Sequence, residues 1–185
     1  MKKRILSLLL ALSLLSVPAL AAENSTEHFT RIKTYAGQFS DLPEDHTFYE
    51  NVAALYEYGL SVGQTDGTYG LAAHMTVGQA VIFAGRIRSL YRTGDPEAGP
   101  AAFTAAAIGL KDAQRVYAPY LWYLQAEGVL DKALDEQLSD MATRAQMAHA
   151  LANLLPETVL PLVNDSLITQ AYASRRRITD VTEYT

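Results

Sequence analysis

Apolar residues recur at helical spacing in four stretches of this chain. Tyr49, Val52, Leu55 and Tyr56 form the first stripe, and Ala80, Phe83, Ala84, Ile87 and Tyr91 the second. Leu121 and Leu124 mark a third, and Met147, Ala148, Leu151 and Leu155 a fourth. Steps of three and four residues place each set on one face of a helix. The helices carry start signals as well. Thr47 with Glu50, Thr76 with Gln79, and Thr143 with Gln146 have capping-box spacing, in which the two side chains satisfy free amides of the first turn. Pro119 is suited to open the third helix, because its missing N–H costs little in a first turn. Gly59 and Gly128 stand where a left-handed residue closes a helix. Gly94-Asp95-Pro96 and Pro156 are stops. The alanine-rich run AAFTAAAIG at 101–109 predicts a further helix within 97–110, and another is expected within 157–174. The fold class predicted is all-α.

The pattern repeats. Leu121, Leu124 and Gly128 echo Val52, Leu55 and Gly59 at a distance of 69 positions. Asp41 in FSDL, Asp112 in LKDA and Asp180 in ITDV precede equivalent places. A helix–loop–helix unit therefore occurs twice and begins a third time, as expected of units that bury their faces against one another.

The N-terminus changes the compartment. Lys2, Lys3 and Arg4 precede an apolar run from Ile5 to Val17, then Pro18 and the small-residue site Ala19-Leu20-Ala21. That order reads as a secretory signal peptide, and the run is too short to span a membrane. Its three basic residues belong to a chain of formal charge −5, so the remainder is near −8. An acidic exported chain lacks the basic face that nucleic acid binding needs. No cysteine is present, which excludes disulfides, thiolate zinc sites and thiol nucleophiles.

Three strings invite chemical readings. GLSVG at 59–63 has the spacing of a nucleophile elbow around Ser61, but the elbow needs a strand before the serine and a helix after it. Here a helix precedes Ser61 and a loop follows, so the string reads as a turn. Asp66-Gly67-Thr68 could begin a calcium loop. A calcium site needs six or more oxygens, and Asp66 is the only carboxylate between residues 60 and 75. A tight turn is expected instead, with Asp66 bonding nearby backbone and Tyr69 packed beneath. His46 and His74, with Asp41, Glu44 and Asp45, lack the H-x-x-x-H or H-E-x-x-H spacing of a metal site. No metal and no cofactor are expected.

The stretch FSDLPEDHTFYENVAALYEYGLSVGQTDGTYGLAAHMTVGQAVIFAGRI resembles an S-layer homology repeat. In that family an F-x-D opening leads to a helix ending in glycine. A G-x-x-D-G-T-aromatic loop follows, and a second helix opens on T-R-A-E. Residues 40–91 follow this order closely, residues 111–155 more loosely, and ATRAQ at 142–146 is near the family signature. ITDVTEYT at 178–185 is similar to the opening of a third repeat. The organisation read from this is a signal peptide at 1–21, a leader at 22–38, repeats at 39–95 and 96–156, a connector at 157–177 and the third opening at 178–185.

The resemblance implies a function: a non-catalytic module that anchors a secreted protein to the bacterial cell wall. It implies binding of an anionic secondary cell-wall polysaccharide, often pyruvylated, with no membrane insertion after signal cleavage. The family's ligand arginine corresponds to Arg144, and the expected site comprises Arg144, Thr143 and Gln146, with Asp41 and Asp112. A guanidinium grips a carboxylate with two parallel hydrogen bonds, and a helix N-terminus adds amides and positive potential. This chain departs from the pattern at Gly78 and Gln79, read in place of arginine and glutamate. It departs again at Gln146, and in DKALDEQLSD, which replaces the D-G-T loop. Two other readings are kept: the anchor portion of a secreted enzyme whose catalytic domain lies beyond residue 185, and a protein-binding scaffold. The scaffold would use Tyr49, Tyr56, Tyr58, Tyr120, Tyr123 and Trp122, which helical spacing otherwise assigns to packing. Arg175, Arg176 and Arg177 read as a solvated run.

Overall fold

A computed structural model describes residues 26–156. The signal peptide, the helix expected within 157–174, the arginine run and the third opening at 178–185 lie outside the described residues. Within them, a 3-10 turn at Thr26–His28 is followed by five α-helices: α1 Tyr49–Glu57, α2 Val77–Thr93, α3 Ala98–Ala107, α4 Asp112–Ala126 and α5 Arg144–Ala152. No strand forms among the described residues; the single β-bridge joins Thr76 to Met141.

α2 is the central element. It packs on α3, α4 and α5, and α3 also packs on α4. The main core joins Val77, Val81 and Ala84 of α2 to Leu121 and Leu124 of α4. Val129, Leu130 and Leu134 from the following loop and Ala150 and Leu154 from the α5 end complete it. Close approach of α4 depends on three tyrosines at steps of three. A Cβ built at Gly78 would lie 2.7 Å from the Tyr117 ring, and one at Gly85 2.9 Å from Tyr120. Gly99 of α3 meets Tyr123 in the same way, at 2.5 Å. The far ends of the helices are tied by Arg88, which donates to the Leu154 carbonyl at 2.9 Å and pairs with Glu127 at 3.0 Å.

α1 belongs to a second, smaller core. Val52 packs with Phe39 and Leu42, flanked by Tyr35, Tyr49, Tyr56, Tyr69 and Leu71. The described part of the leader is integral to this cluster: Tyr35 stacks 5.5 Å from both Phe39 and Tyr49, and the Ile32 N–H donates to the Glu57 carbonyl at 2.8 Å.

α1 and α4 close alike. The Gly59 N–H donates to Tyr56 and that of Leu60 to Leu55; the Gly128 N–H donates to Gln125 and that of Val129 to Leu124. Both glycines take the positive φ this motif requires, 70° and 69°.

Four expectations require correction. The Thr47–Glu50 capping box does not form. α1 starts at Tyr49 with Phe48 as its N-cap and no side-chain cap. The His46 ring accepts the Phe48 N–H at 3.2 Å and the His46 carbonyl accepts that of Tyr49 at 2.8 Å, so a local turn displaces the start. Pro119 lies inside α4 rather than at its opening. The hydrogen bond it deletes would have reached the carbonyl of Arg115, an exposed residue that water can serve. Ala148 is exposed rather than core, because Ala150 and Leu154 supply the buried face of α5. Finally, the caps set the register between α2 and α5. Counting from Thr76 and Thr143, the position matching Arg144 is Val77, and Gly78 matches Ala145.

Candidate functional site

Three of the five expected site residues, Thr143, Arg144 and Gln146, lie at the start of α5, where the N-termini of α2 and α5 meet. The Ala142 N–H donates to the Met75 carbonyl at 2.8 Å, and the Val77 and Gly78 N–H groups donate to the Asp140 and Leu138 carbonyls at 2.9 and 2.8 Å. The segment 138–142 therefore occupies the first-turn amides of α2 while leading directly into α5.

Both helices open on complete capping boxes. Thr143 donates its N–H to Gln146 Oε1 at 2.8 Å, and the Gln146 N–H donates to Thr143 Oγ1 at 3.2 Å; Thr76 and Gln79 repeat both distances. The residue after the cap differs. Val77 is fully buried, whereas Arg144 is exposed. Beside Arg144 lies an open groove of about 420 Å³ lined by Met75, Ala142, Thr143, Arg144, Met147 and Ala148. Its wall is largely methionine and alanine, with Thr143 and Arg144 as its polar residues.

Thr143 and Arg144 thus lie together in the groove lining. Gln146 shares their turn, but its side chain is used within the protein: Oε1 caps Thr143 and Nε2 donates to Gln137 Oε1. Asp41 lies in the smaller core region. Its carboxylate accepts N–H groups of Tyr69, Gly70 and Leu71 at 2.6, 2.8 and 3.1 Å, and the Tyr69 bond leads in holding its pKa below the usual carboxylate value. Asp112 opens α4, and its side chain is outside the described part. Met147 and Ala148 read as core from their helical spacing, and Met75 carries no reading from sequence, so none of the three is expected as lining. The methionine directly preceding Thr76 was the available signal.

The other candidate strings are turns. Asp66 Oδ1 accepts the Thr68 N–H at 3.0 Å and the Thr68 hydroxyl at 2.7 Å, and the hydroxyl leads in lowering its pKa. Ser61 follows the closing motif of α1 and donates its N–H back to Leu55 at 3.1 Å, without the strand–serine–helix order of an elbow. In the acidic loop, Asp131 accepts the Ala133 N–H at 2.8 Å and lies 3.5 Å from His149, while Asp135 accepts from Gln125 at 2.8 Å.

Residues 38–76 match the family model of the S-layer homology domain. The chain carries an S-layer homology domain. The matched segment holds Phe39, Asp41, α1 and the loop that Asp41 clamps, and it ends on the N-cap of α2. No curated protein and no solved structure matches the chain. S-layer homology domains are non-catalytic cell-wall anchoring modules that bind cell-wall polysaccharide, which marks this as a cell-surface protein. Among the described residues no helix is long and apolar enough to cross a membrane.

Proposed function

We propose that this chain is a non-catalytic anchor whose S-layer homology repeats, at 39–95 and 96–156, hold an anionic secondary cell-wall polysaccharide, and that the ligand seats in the groove at the N-terminus of α5. The observation carrying this reading is the composition of that groove: Arg144 and a capped helix N-terminus beside a methionine and alanine wall. A carboxylate is met by the guanidinium fork and the positive end of the helix. The apolar wall favours a ligand that presents a methyl group beside its charge. A pyruvate ketal carries both on one carbon, so a pyruvylated sugar is the class that fits. Thr143 shapes the first turn, and Asp41 acts at a distance by holding the loop of the matched domain.

Arg144→Ala is expected to weaken binding by about 1.5–3 kcal/mol, the range for a hydrogen bond to a charged group. The test is co-sedimentation with cell-wall sacculi before and after acid stripping of the polysaccharide. Retention on native sacculi alone, reduced by Arg144→Ala, supports the reading. Equal retention on stripped sacculi removes the polysaccharide, and equal retention of the variant removes Arg144.

A further inference from the structure

Among the described residues, sulfur is confined to one place. The chain has four methionines and no cysteine, and Met1 lies in the stretch read as a signal peptide. The other three, Met75, Met141 and Met147, stand at the junction of α2 and α5. Met75 and Met147 line the groove beside Arg144, whereas Met141 pairs with Thr76 in the β-bridge and is outside the lining. Met75 is 41% exposed and Met141 68%, while Met147 is half-buried. Neither core contains a methionine. A two-electron oxidant reaching the folded chain therefore meets thioethers in and beside the groove and none in the cores.

We propose that Met75 and Met147 form an oxidation site that controls the groove: a peroxide converts their thioethers to sulfoxides, and the groove loses its hold on the anionic ligand. This rests on the anion-binding reading above. The thioether lone pair attacks one oxygen of hydrogen peroxide. An S–O bond forms and the O–O bond breaks, and the leaving hydroxide takes the proton from the transferred oxygen and departs as water. Sulfur loses two electrons and the peroxide gains them. The product is polar and chiral where the thioether was flexible and apolar. Its oxygen accepts hydrogen bonds on the wall that also carries Arg144, so it competes with a ligand carboxylate for guanidinium donors. The apolar surface that suits the ligand's methyl group is lost in the same step. No thiol competes for the oxidant. The main-chain tie between α2 and α5, from the Ala142 N–H to the Met75 carbonyl, does not involve the sulfur.

The test treats the full chain with graded hydrogen peroxide and then removes it. Peptide mass spectrometry reads oxidation at each methionine, circular dichroism reads helicity, and co-sedimentation with native sacculi reads binding. Met141, the most exposed, is expected to oxidise first without loss of binding. Retention should then fall several-fold as Met75 and Met147 oxidise, with helicity kept. It should return after treatment with methionine sulfoxide reductases for both epimers and dithiothreitol. Met75→Leu combined with Met147→Leu keeps the wall apolar and close in volume. Compared with its own untreated sample, that variant should lose no retention to peroxide. Full retention with both groove methionines oxidised overturns oxidation control of the groove, as does a loss that tracks Met141. A loss that persists in the leucine variant, or that the reductases fail to reverse, overturns it equally. Untreated wild-type protein that fails to bind native sacculi overturns the anion-binding reading, and oxidation control with it.

Discussion

Val77 and Arg144 hold the same place, the first position after a threonine N-cap, yet Val77 is sealed in the core and Arg144 faces an open groove. The segment 138–142 makes the difference. It lies across the start of α2, covering Val77, and then becomes the approach to α5. One helix N-terminus is thereby built into the fold, while the other borders the groove.

Exchanging these residues should separate stability from binding. Val77→Arg places a guanidinium in the core without a partner and is expected to cost at least about 3 kcal/mol. Arg144→Val should leave the protein folded while sacculus binding falls. A Val77→Arg protein as stable as wild type would contradict the assigned burial.

The capping boxes offer a second test. Thr143→Ala removes the acceptor of the Gln146 N–H and should destabilise by about 0.5–2 kcal/mol. Thr143→Ser should retain most of the cap. Chemical denaturation measures both.

Asp41 supplies a pH dependence. Its folded pKa is held below the ordinary aspartate value, led by the Tyr69 N–H bond, so its contribution to stability is complete above the unfolded pKa. That contribution is lost as pH falls through the lower, folded value. Asp41→Asn should therefore flatten the acid limb of the stability profile below about pH 4. An acid limb identical in the two proteins would show that the clamp on residues 69–71 does not couple to folding.

The glycine–tyrosine contacts give a packing prediction. Gly78→Ala sets a methyl group 2.7 Å from the Tyr117 ring and should cost about 1–3 kcal/mol by overpacking. Combining it with Tyr117→Ala should recover part of that loss, because the ring that clashes is gone. Additive losses in a double-mutant cycle would place the strain elsewhere.

What the sequence determined by itself is local. Capping at Thr76 and Thr143, the left-handed closures at Gly59 and Gly128, and the Asp66 turn each depend on groups within a few residues of one another. Even local reading failed at Thr47, where the His46 turn competes for the same amides, and at Pro119, where a carbonyl left to water made a helix-interior proline tolerable. Tertiary structure alone decided which copy of a repeated position is buried. Asp41 reaches amides 28 to 30 residues away, Gly78 is pressed by Tyr117, and Met147 and Ala148 face the groove because Ala150 and Leu154 already fill the core side of α5. Helical periodicity specifies that one face is apolar, but not which neighbour covers it. Where none of the described residues covers it, the same apolar spacing leaves a groove, and Arg144 in its lining becomes a candidate for binding.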